Sequence, residues 1–364
     1  MRNATNHKIL SCLTIDVEDW FHILDSPAVP KIDAWSSLES RIERNVNTLL
    51  ELLDSHSVKA TFFWLGWLAE RHKKLVRKCM EAGHEIACHG YAHVLAYEVG
   101  PDGFREDIHR ARTTLEDIIG EPVRGFRAPG FGVTKKAPWA FNIISEAGYQ
   151  YDSSVFPAAH GHGGMSDSPL GMYFIETPKG HLLEIPMSII EIFRHRTSLF
   201  GGGYLRLANI HMIKWGIEKL RSGGQPLIIY VHPREIDPGH PRLPLSMLRQ
   251  FKCYVNLKST KPKLKWLCEH YSFCTLLEMV ENYIRSFYLE SKTVPVVKPG
   301  AGQPAPTPLN SAGYLVNNMS TSSFRNRLLL LEEAMAGFLN PQVFNPRSTT
   351  PNFKRKPDFM DISL

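Results

Sequence analysis

Short apolar runs alternate with segments of helical periodicity from residue 9 to about residue 285. Residues 9–15 read as a buried strand. Leu38, Ile42, Val46, Leu49, Leu50 and Leu53 then recur at the spacing of one apolar helix face. Residues 58–65, β-branched and aromatic, predict a second strand, and a helix follows over 67–81. The alternation continues with a strand at 85–88, a helix over 104–118, a strand at 123–126 and a helix over 136–147. Further strands are expected at 149–151, 182–185, 227–231 and 271–274, with helices over 205–220 and 276–284. Strand and helix alternating about seven times is the pattern of parallel strands with helical crossovers, so an α/β barrel or a doubly wound sheet.

After residue 290 the pattern fades. Nine of the 25 prolines fall in the last 74 residues, where Ser, Thr, Asn and Gly are also frequent. Such a composition buries too little apolar surface to offset the entropy of ordering, so residues 291–364 are expected to be a largely disordered tail. One helical island is expected within it, over 324–339. The folded domain is bounded at 8–285.

Composition narrows the function classes. With 43% hydrophobic and 21% charged residues, the chain is that of a globular protein. The net charge is +6, of which the tail holds +4, leaving residues 1–290 close to neutral. That near-neutral sum argues against a nucleic-acid partner. No window reaches the roughly 20 apolar residues of a membrane helix, so any membrane contact is expected to be peripheral. Residues 1–10 lack the apolar stretch of a secretory signal, and the six cysteines contain no C-x-x-C pair. A cytoplasmic protein with reduced thiols is the expectation.

The chemistry-bearing residues sit at predicted strand ends. Asp16, Glu18 and Asp19 follow the first strand, and His89 follows residues 85–88. Arg127, Asp152 and His232 follow the strands ending at 126, 151 and 231. Parallel strands place their carboxyl ends on one face, where active sites are built. His89 and His93, four residues apart, would share a side if the segment were helical. Two imidazoles and a carboxylate leave open positions on a divalent metal, which suits catalytic zinc or another first-row ion. Three carboxylates at 16, 18 and 19 resist joint ionisation unless a cation neutralises them, and a metal with Arg127 would do so. Gly201-Gly-Gly203 could bring backbone N–H groups to an anion, although a plain flexible loop accounts for it as well.

The motifs Thr14-Ile-Asp-Val-Glu-Asp19, His89-Gly-Tyr-Ala-His93, Arg127-Ala-Pro-Gly130, Tyr151-Asp-Ser-Ser154 and Val231-His-Pro233 occur together in one order. As a set they resemble NodB-like polysaccharide deacetylases, carbohydrate esterase family 4. The chain is similar to the branch associated with exopolysaccharide loci of exosortase-type bacteria. The resemblance spans roughly residues 8–285 and implies a distorted (β/α)7 barrel that removes N-acetyl groups from a polysaccharide or lipid-linked oligosaccharide. It makes Asp16 the general base, His232 the general acid, Arg127 the group that orients Asp16, and Asp152 a modulator of His232. His89, His93 and one acid would hold the metal, zinc being expected.

Two departures from the family pattern bear on this. Val17 separates Asp16 from the next acids, so the third ligand is Glu18 or Asp19. An extended strand points Glu18 the same way as Asp16, whereas a turn after Val17 would bring in Asp19. Asp19 is favoured because aspartate is the commoner family ligand. Gly90 stands where many relatives have Ser or Thr, as in the branch that holds peptidoglycan deacetylases and metal-independent allantoinases. A metal-free amidohydrolase and a non-catalytic carbohydrate-binding scaffold are therefore the competing readings. Trp20, Phe21, Phe131 and Tyr204 are candidate stacking surfaces for sugar rings.

Overall fold

The computed structural model describes residues 10–24, 26–290 and 296–297, with backbone alone for 286–290 and 296–297. Strand β1 (Ser11–Val17) is followed by α1 (Ile32–Trp35), α2 (Ile42–Asp54), β2 (Thr61–Trp64), α3 (Gly66–Arg71), α4 (Lys73–Glu81) and β3 (Glu85–Cys88). Next come α5 (Ala96–Ile119), β4 (Gly125–Phe126), α6 (Ala140–Glu146), β5 (Tyr151–Asp152), β6 (Tyr173–Thr177) and β7 (Gly180–Glu184). A hairpin of β8 (Ile190–Ile192) and β9 (His195–Thr197) leads to α7 (Gly202–Leu207), α8 (Ile210–Ser222) and β10 (Leu227–Val231). The series closes with α9 (Met247–Tyr254), α10 (Thr260–His270), α11 (Leu276–Glu290) and β11 (Val296–Val297).

One nine-stranded sheet runs in the order β10-β1-β2-β3-β4-β5-β7-β6-β11. Every pairing is parallel except the β6–β7 hairpin. The sheet curls into a half-barrel, with β10 and β11 as its two edges. Strands covered on both faces read as continuous apolar runs. Leu227–Val231 and Thr61–Trp64 are buried along their whole length, as is β1. Leu49, Leu53, Val46 and Ile42 of α2 are buried, as their spacing predicts. No helix among the described residues is long and apolar enough to cross a membrane.

Several boundaries differ from the sequence reading. The expected helix over 67–81 breaks at His72 into α3 and α4, and that over 205–220 breaks at Ala208 and Asn209 into α7 and α8. Residues 271–274 make a single bridge, Cys12 to Cys274, instead of a strand. Strand β7 matches the expected strand at 182–185, whereas its hairpin partner β6, the β8–β9 hairpin and the helices α9 and α10 carry weaker periodic signals and are not among the expected elements. Val296 and Val297 pair with Phe174 and Ile175 of β6, so the chain returns to the sheet past residue 290. The rest of the expected tail, with the helix over 324–339, lies outside the described residues.

Candidate active site

The carboxyl ends of β1, β3, β4, β5 and β10 gather the polar residues that the sequence placed there. Asp16 and Asp152 lie at the ends of β1 and β5, while Glu18, His89, Arg127 and His232 directly follow β1, β3, β4 and β10, and His93 comes four residues after His89. The side chains involved are almost wholly buried, at 0–7% exposure for Asp16, Glu18, His89, His93, Arg127 and Asp152.

Glu18 is the hub. Its Oε1 lies 3.2 Å from His89 Nε2, 2.9 Å from His93 Nε2 and 3.5 Å from His232 Nε2. Its Oε2 is 3.7 Å from Arg234. Burial opposes ionisation of Glu18, but His93 and His232, with hydrogen bonds from His89 and His93, outweigh it. Its carboxyl is held well below the usual range. His89, His93 and Glu18 form a cluster whose candidate ligand atoms lie within 4.8 Å of one another.

Asp19, favoured from sequence, is elsewhere. Its carboxylate accepts from Ser40 Oγ at 2.6 Å and from the backbone N–H of Trp20 and Arg41 at 2.9 and 3.0 Å. It ties the loop after β1 to the entry of α2. The correction has a simple cause. Strand β1 ends at Val17 in a tight turn, with Glu18 N–H donating to the Asp16 carbonyl at 2.9 Å, and Glu18 meets the histidines while Asp19 is drawn to Ser40 and Arg41.

The two histidines meet without a helix. Residues 89–93 form an irregular loop, with Gly90 at φ +76° and His93 at φ +53°. The Asp107 carboxylate of α5 accepts from Tyr91 N–H and Ala92 N–H, both at 2.8 Å, and braces the loop from behind. A Cβ at position 90 would lie 2.7 Å from Asp107 Oδ2, so glycine answers both the left-handed backbone and this close approach.

Whether a divalent ion suits this cluster can be judged from its hydrogen bonds. His89 Nδ1 sits 2.7 Å from the Arg127 carbonyl oxygen, an acceptor, so Nδ1 carries the proton. The neutral ring then presents a lone pair at Nε2, facing a carboxylate oxygen. Two acceptors pointed at each other need a cation between them or a second proton on the ring. A backbone carbonyl on the far nitrogen is also the arrangement that orients metal-ligating histidines. The donor set of two imidazoles and one carboxylate fits a divalent ion of the zinc type.

Arg127 and Asp16 form the second constellation. Arg127 is fully buried, and its Nη1 donates at 2.7 Å to Asp16 Oδ1 and at 2.7 Å to Thr14 Oγ1. Nε and Nη2 donate to the carbonyl and the hydroxyl of Ser153. The guanidinium also lies 4.2 Å above the Phe63 ring. Asp16 thus faces a cation with fixed direction.

His232 is held by a residue the sequence reading passed over. Its Nδ1 is 3.2 Å from Glu235 Oε2, and its backbone N–H donates to the same oxygen at 3.0 Å. Glu235 Oε1 in turn meets Arg206 Nε of α7 at 3.0 Å. Burial opposes the charge on Glu235, yet the His232 hydrogen bond and Arg206 bring its carboxyl down to about 2. Burial likewise disfavours the His232 cation, but Glu18 and Glu235 overcome it and raise the imidazole above its ordinary value. The spacing itself was the available signal: an acid three residues after His232, past Pro233, is a capping box.

Asp152, expected to modulate His232, has other partners. It pairs in register with Glu184 of β7 and accepts from Ser154 Oγ, which itself accepts from Ala128 N–H. Asp152 Oδ2 and Glu184 Oε2 have no donor among the described residues, which one proton shared between the two carboxyls would supply. Burial raises Asp152 to about 6, and burial with the Asp152 charge raises Glu184 well above its usual range.

Of the candidate stacking aromatics, Trp20, Phe21 and Phe131 are core residues, and Tyr204 is 37% exposed. Gly201 is no anion cradle. It bridges to Tyr230, and a Cβ there would fall 2.1 Å from that ring.

The chain is similar to known proteins over parts of its length. Residues 30–151 match the family described as polysaccharide deacetylase, and residues 153–281 match a domain of unknown function, DUF3473. The first match holds the His89–His93 and Arg127 motifs and the second holds His232. The chain is 34% identical over 102 residues to a peptidoglycan-N-acetylglucosamine deacetylase of Bacillus cereus, covering 28% of this chain and 46% of that protein. It is 36% identical over 80 residues to a chitooligosaccharide deacetylase of Azorhizobium caulinodans, covering 22% and 38%. The chain thus spans less than half the length of these curated relatives. Among solved structures, a candidate polysaccharide deacetylase from Mycobacterium smegmatis superposes with a TM-score of 0.50 at 19% identity, covering 79% of this chain and 94% of that one. Puue allantoinase superposes with a TM-score of 0.51 at 16% identity, covering 78% and 92%. At these identities the two structures speak to the fold alone.

Proposed function

We propose, from the match of residues 30–151 to the polysaccharide deacetylase family, that the chain is a member of that family and a metal-dependent N-deacetylase of amino sugars in a polysaccharide or its lipid-linked precursor, serving exopolysaccharide synthesis. The observation that carries the reading is the convergence of Glu18, His89 and His93 on one point, with Arg127 linking that point to Asp16. The DUF3473 match over residues 153–281 supports the exopolysaccharide branch.

Glu18, His89 and His93 would hold the ion. A divalent metal there supplies Lewis acidity, acidifying water and polarising the acetamide oxygen. Asp16 takes the proton of the attacking water, its carboxylate aimed by Arg127. His232 donates to the departing amine, a poor leaving group that needs protonation. Its charged form is supported by Glu18 and Glu235, and Glu235 fixes the ring through Nδ1, leaving Nε2 toward the site. Asp152 supports Arg127 from beneath through Ser154 and the Ala128 backbone.

The deciding experiment measures metal content by elemental mass spectrometry on the purified protein and on His89→Ala/His93→Ala, with acetate release from N-acetylglucosamine oligomers read on the same samples. The expected result is near one metal per chain in the wild type, lost together with acetate release in the double variant. Equal activity with and without metal would overturn the proposal in favour of a metal-free amidohydrolase. In the same assay His232→Ala should lower kcat by roughly 10²–10⁴-fold, the scale of general-acid loss. A change below threefold would remove His232 from that role.

A further inference from the structure

The near-neutral charge of residues 1–290 conceals a concentration. Residues 193–265 hold fourteen Lys and Arg against three Asp and Glu. Arg206, Lys263, Glu235 and Asp237 are buried, which leaves nine exposed cations against one exposed carboxylate, Glu218. The same stretch carries most of the large apolar side chains exposed among the described residues: Leu207 of α7, Met212 and Trp215 of α8, and Met247, Leu248 and Phe251 of α9.

Helix α9 is inverted relative to a core helix. Met247, Leu248 and Phe251 share one side at spacings of one and four, yet they are 88%, 64% and 53% exposed. Tyr254 alone of its eight residues is buried. Exposed Lys252 flanks the apolar side. Arg206 of α7 donates to the carbonyls of Lys252, Cys253 and Val255, which fastens α7 to the end of α9, and α8 follows α7 after two residues. Arg249 of α9 donates to the Leu24 carbonyl and lies 3.3 Å from His162 Nε2. Leu24 follows the Asp16–Asp19 loop, and both Leu24 and His162 crowd Gly130, three residues after Arg127. Helix α9 therefore lies on the rim of the catalytic face.

We infer that α7, α8 and α9 form a docking surface for an anionic lipid bilayer, with the apolar side of α9 entering the boundary between headgroups and acyl chains. Basic residues flanking exposed aliphatic and aromatic side chains are the pattern by which helices lie in a membrane interface. A soluble acidic polysaccharide would be met by the cations, but it gives no reason for bare Met247 and Leu248. The surface brings the rim of the site to the bilayer, and the inference stands independently of the reaction performed there.

The test is co-sedimentation of the full chain with vesicles of 30% phosphatidylglycerol in phosphatidylcholine, against phosphatidylcholine alone. The wild type should bind the anionic vesicles, more weakly as salt rises, and bind the neutral ones poorly. Leu248→Glu/Phe251→Glu should bind at least tenfold more weakly, with an unchanged circular dichroism spectrum and melting temperature. Wild type that stays in the supernatant, or a double variant that binds as well as wild type, overturns the proposal. So does equal retention of both proteins on dextran sulfate without vesicle binding, which would assign the cations to a soluble polyanion. Since acetate release is not the readout, a failed deacetylase assay leaves this outcome readable.

Discussion

Glu18 and Asp19 are adjacent carboxylates with separate tasks, and single substitutions should separate them. Glu18→Gln keeps the shape but removes the charge that faces His89 and His93, so bound metal should fall to near zero by elemental analysis. Asp19→Ala should keep the metal and instead lose about 1–3 kcal/mol in urea unfolding, because Ser40, Arg41 N–H and Trp20 N–H lose their acceptor. If Asp19→Ala lost metal while remaining as stable as the wild type, the ligand assignment would be reversed. Glu235 meets His232 and Arg206 and acts through His232. Glu235→Ala should reduce kcat roughly 10–100-fold with KM within about twofold, and Glu235→Gln should recover part of the loss. A change confined to KM would make Glu235 a substrate contact. The sequence made Asp16, His89, Arg127 and His232 legible, since each ends an apolar strand, and His93 through its spacing from His89. It could not choose between Glu18 and Asp19, because that depends on how far the chain turns after Val17. Nor could it give Asp152 its partner, which lies on a strand 32 residues away.

Between elements, the register of β5 against β7 sets Asp152 opposite Glu184 in a fully buried position. Both carboxyls hold protons more tightly folded than unfolded. Raised acids contribute stability that is fully present below their unfolded values and is lost as pH climbs through the folded ones. For Asp152 the window runs from about 4 to about 6, and for Glu184 it extends higher. Glu184→Gln removes this contribution. The stability of the variant relative to wild type should therefore rise between pH 4 and pH 7, by on the order of 1–3 kcal/mol in denaturant titrations. A flat difference would mean that the two carboxyls do not share a proton. The long apolar runs of β1, β2 and β10 and the amphipathic α2 were plain in the sequence, because burial on two faces or on one stripe leaves an unmistakable period. The β8–β9 hairpin and α9 were not. A hairpin of three-residue strands has no period to read, and the apolar stripe of α9 faces out.

At the scale of the whole molecule, alternating strands and helices were enough to indicate a parallel α/β fold with its chemistry at one end. How far the sheet closes was not readable, since closure depends on strand tilt and on the inserted β6–β7 pair. A metal that binds only the folded chain adds RT ln(1 + [M]/Kd) to its stability, about 2.7 kcal/mol at a hundredfold excess over Kd. Zinc should therefore raise the melting temperature of the metal-free protein by several degrees, and Glu18→Gln should show no rise. An equal rise in both proteins would point to binding elsewhere.

The carbonyl and the side chain of Arg127 serve different masters: the first fixes His89, the second fixes Asp16. One residue is thus a shared bracket for the ion's anchor and for the base. An engineer who remodels the Arg127–Gly130 loop to admit a bulkier sugar would shift both at once and degrade two functions with one change. Changes placed away from that loop leave the ion's anchor and the base in step.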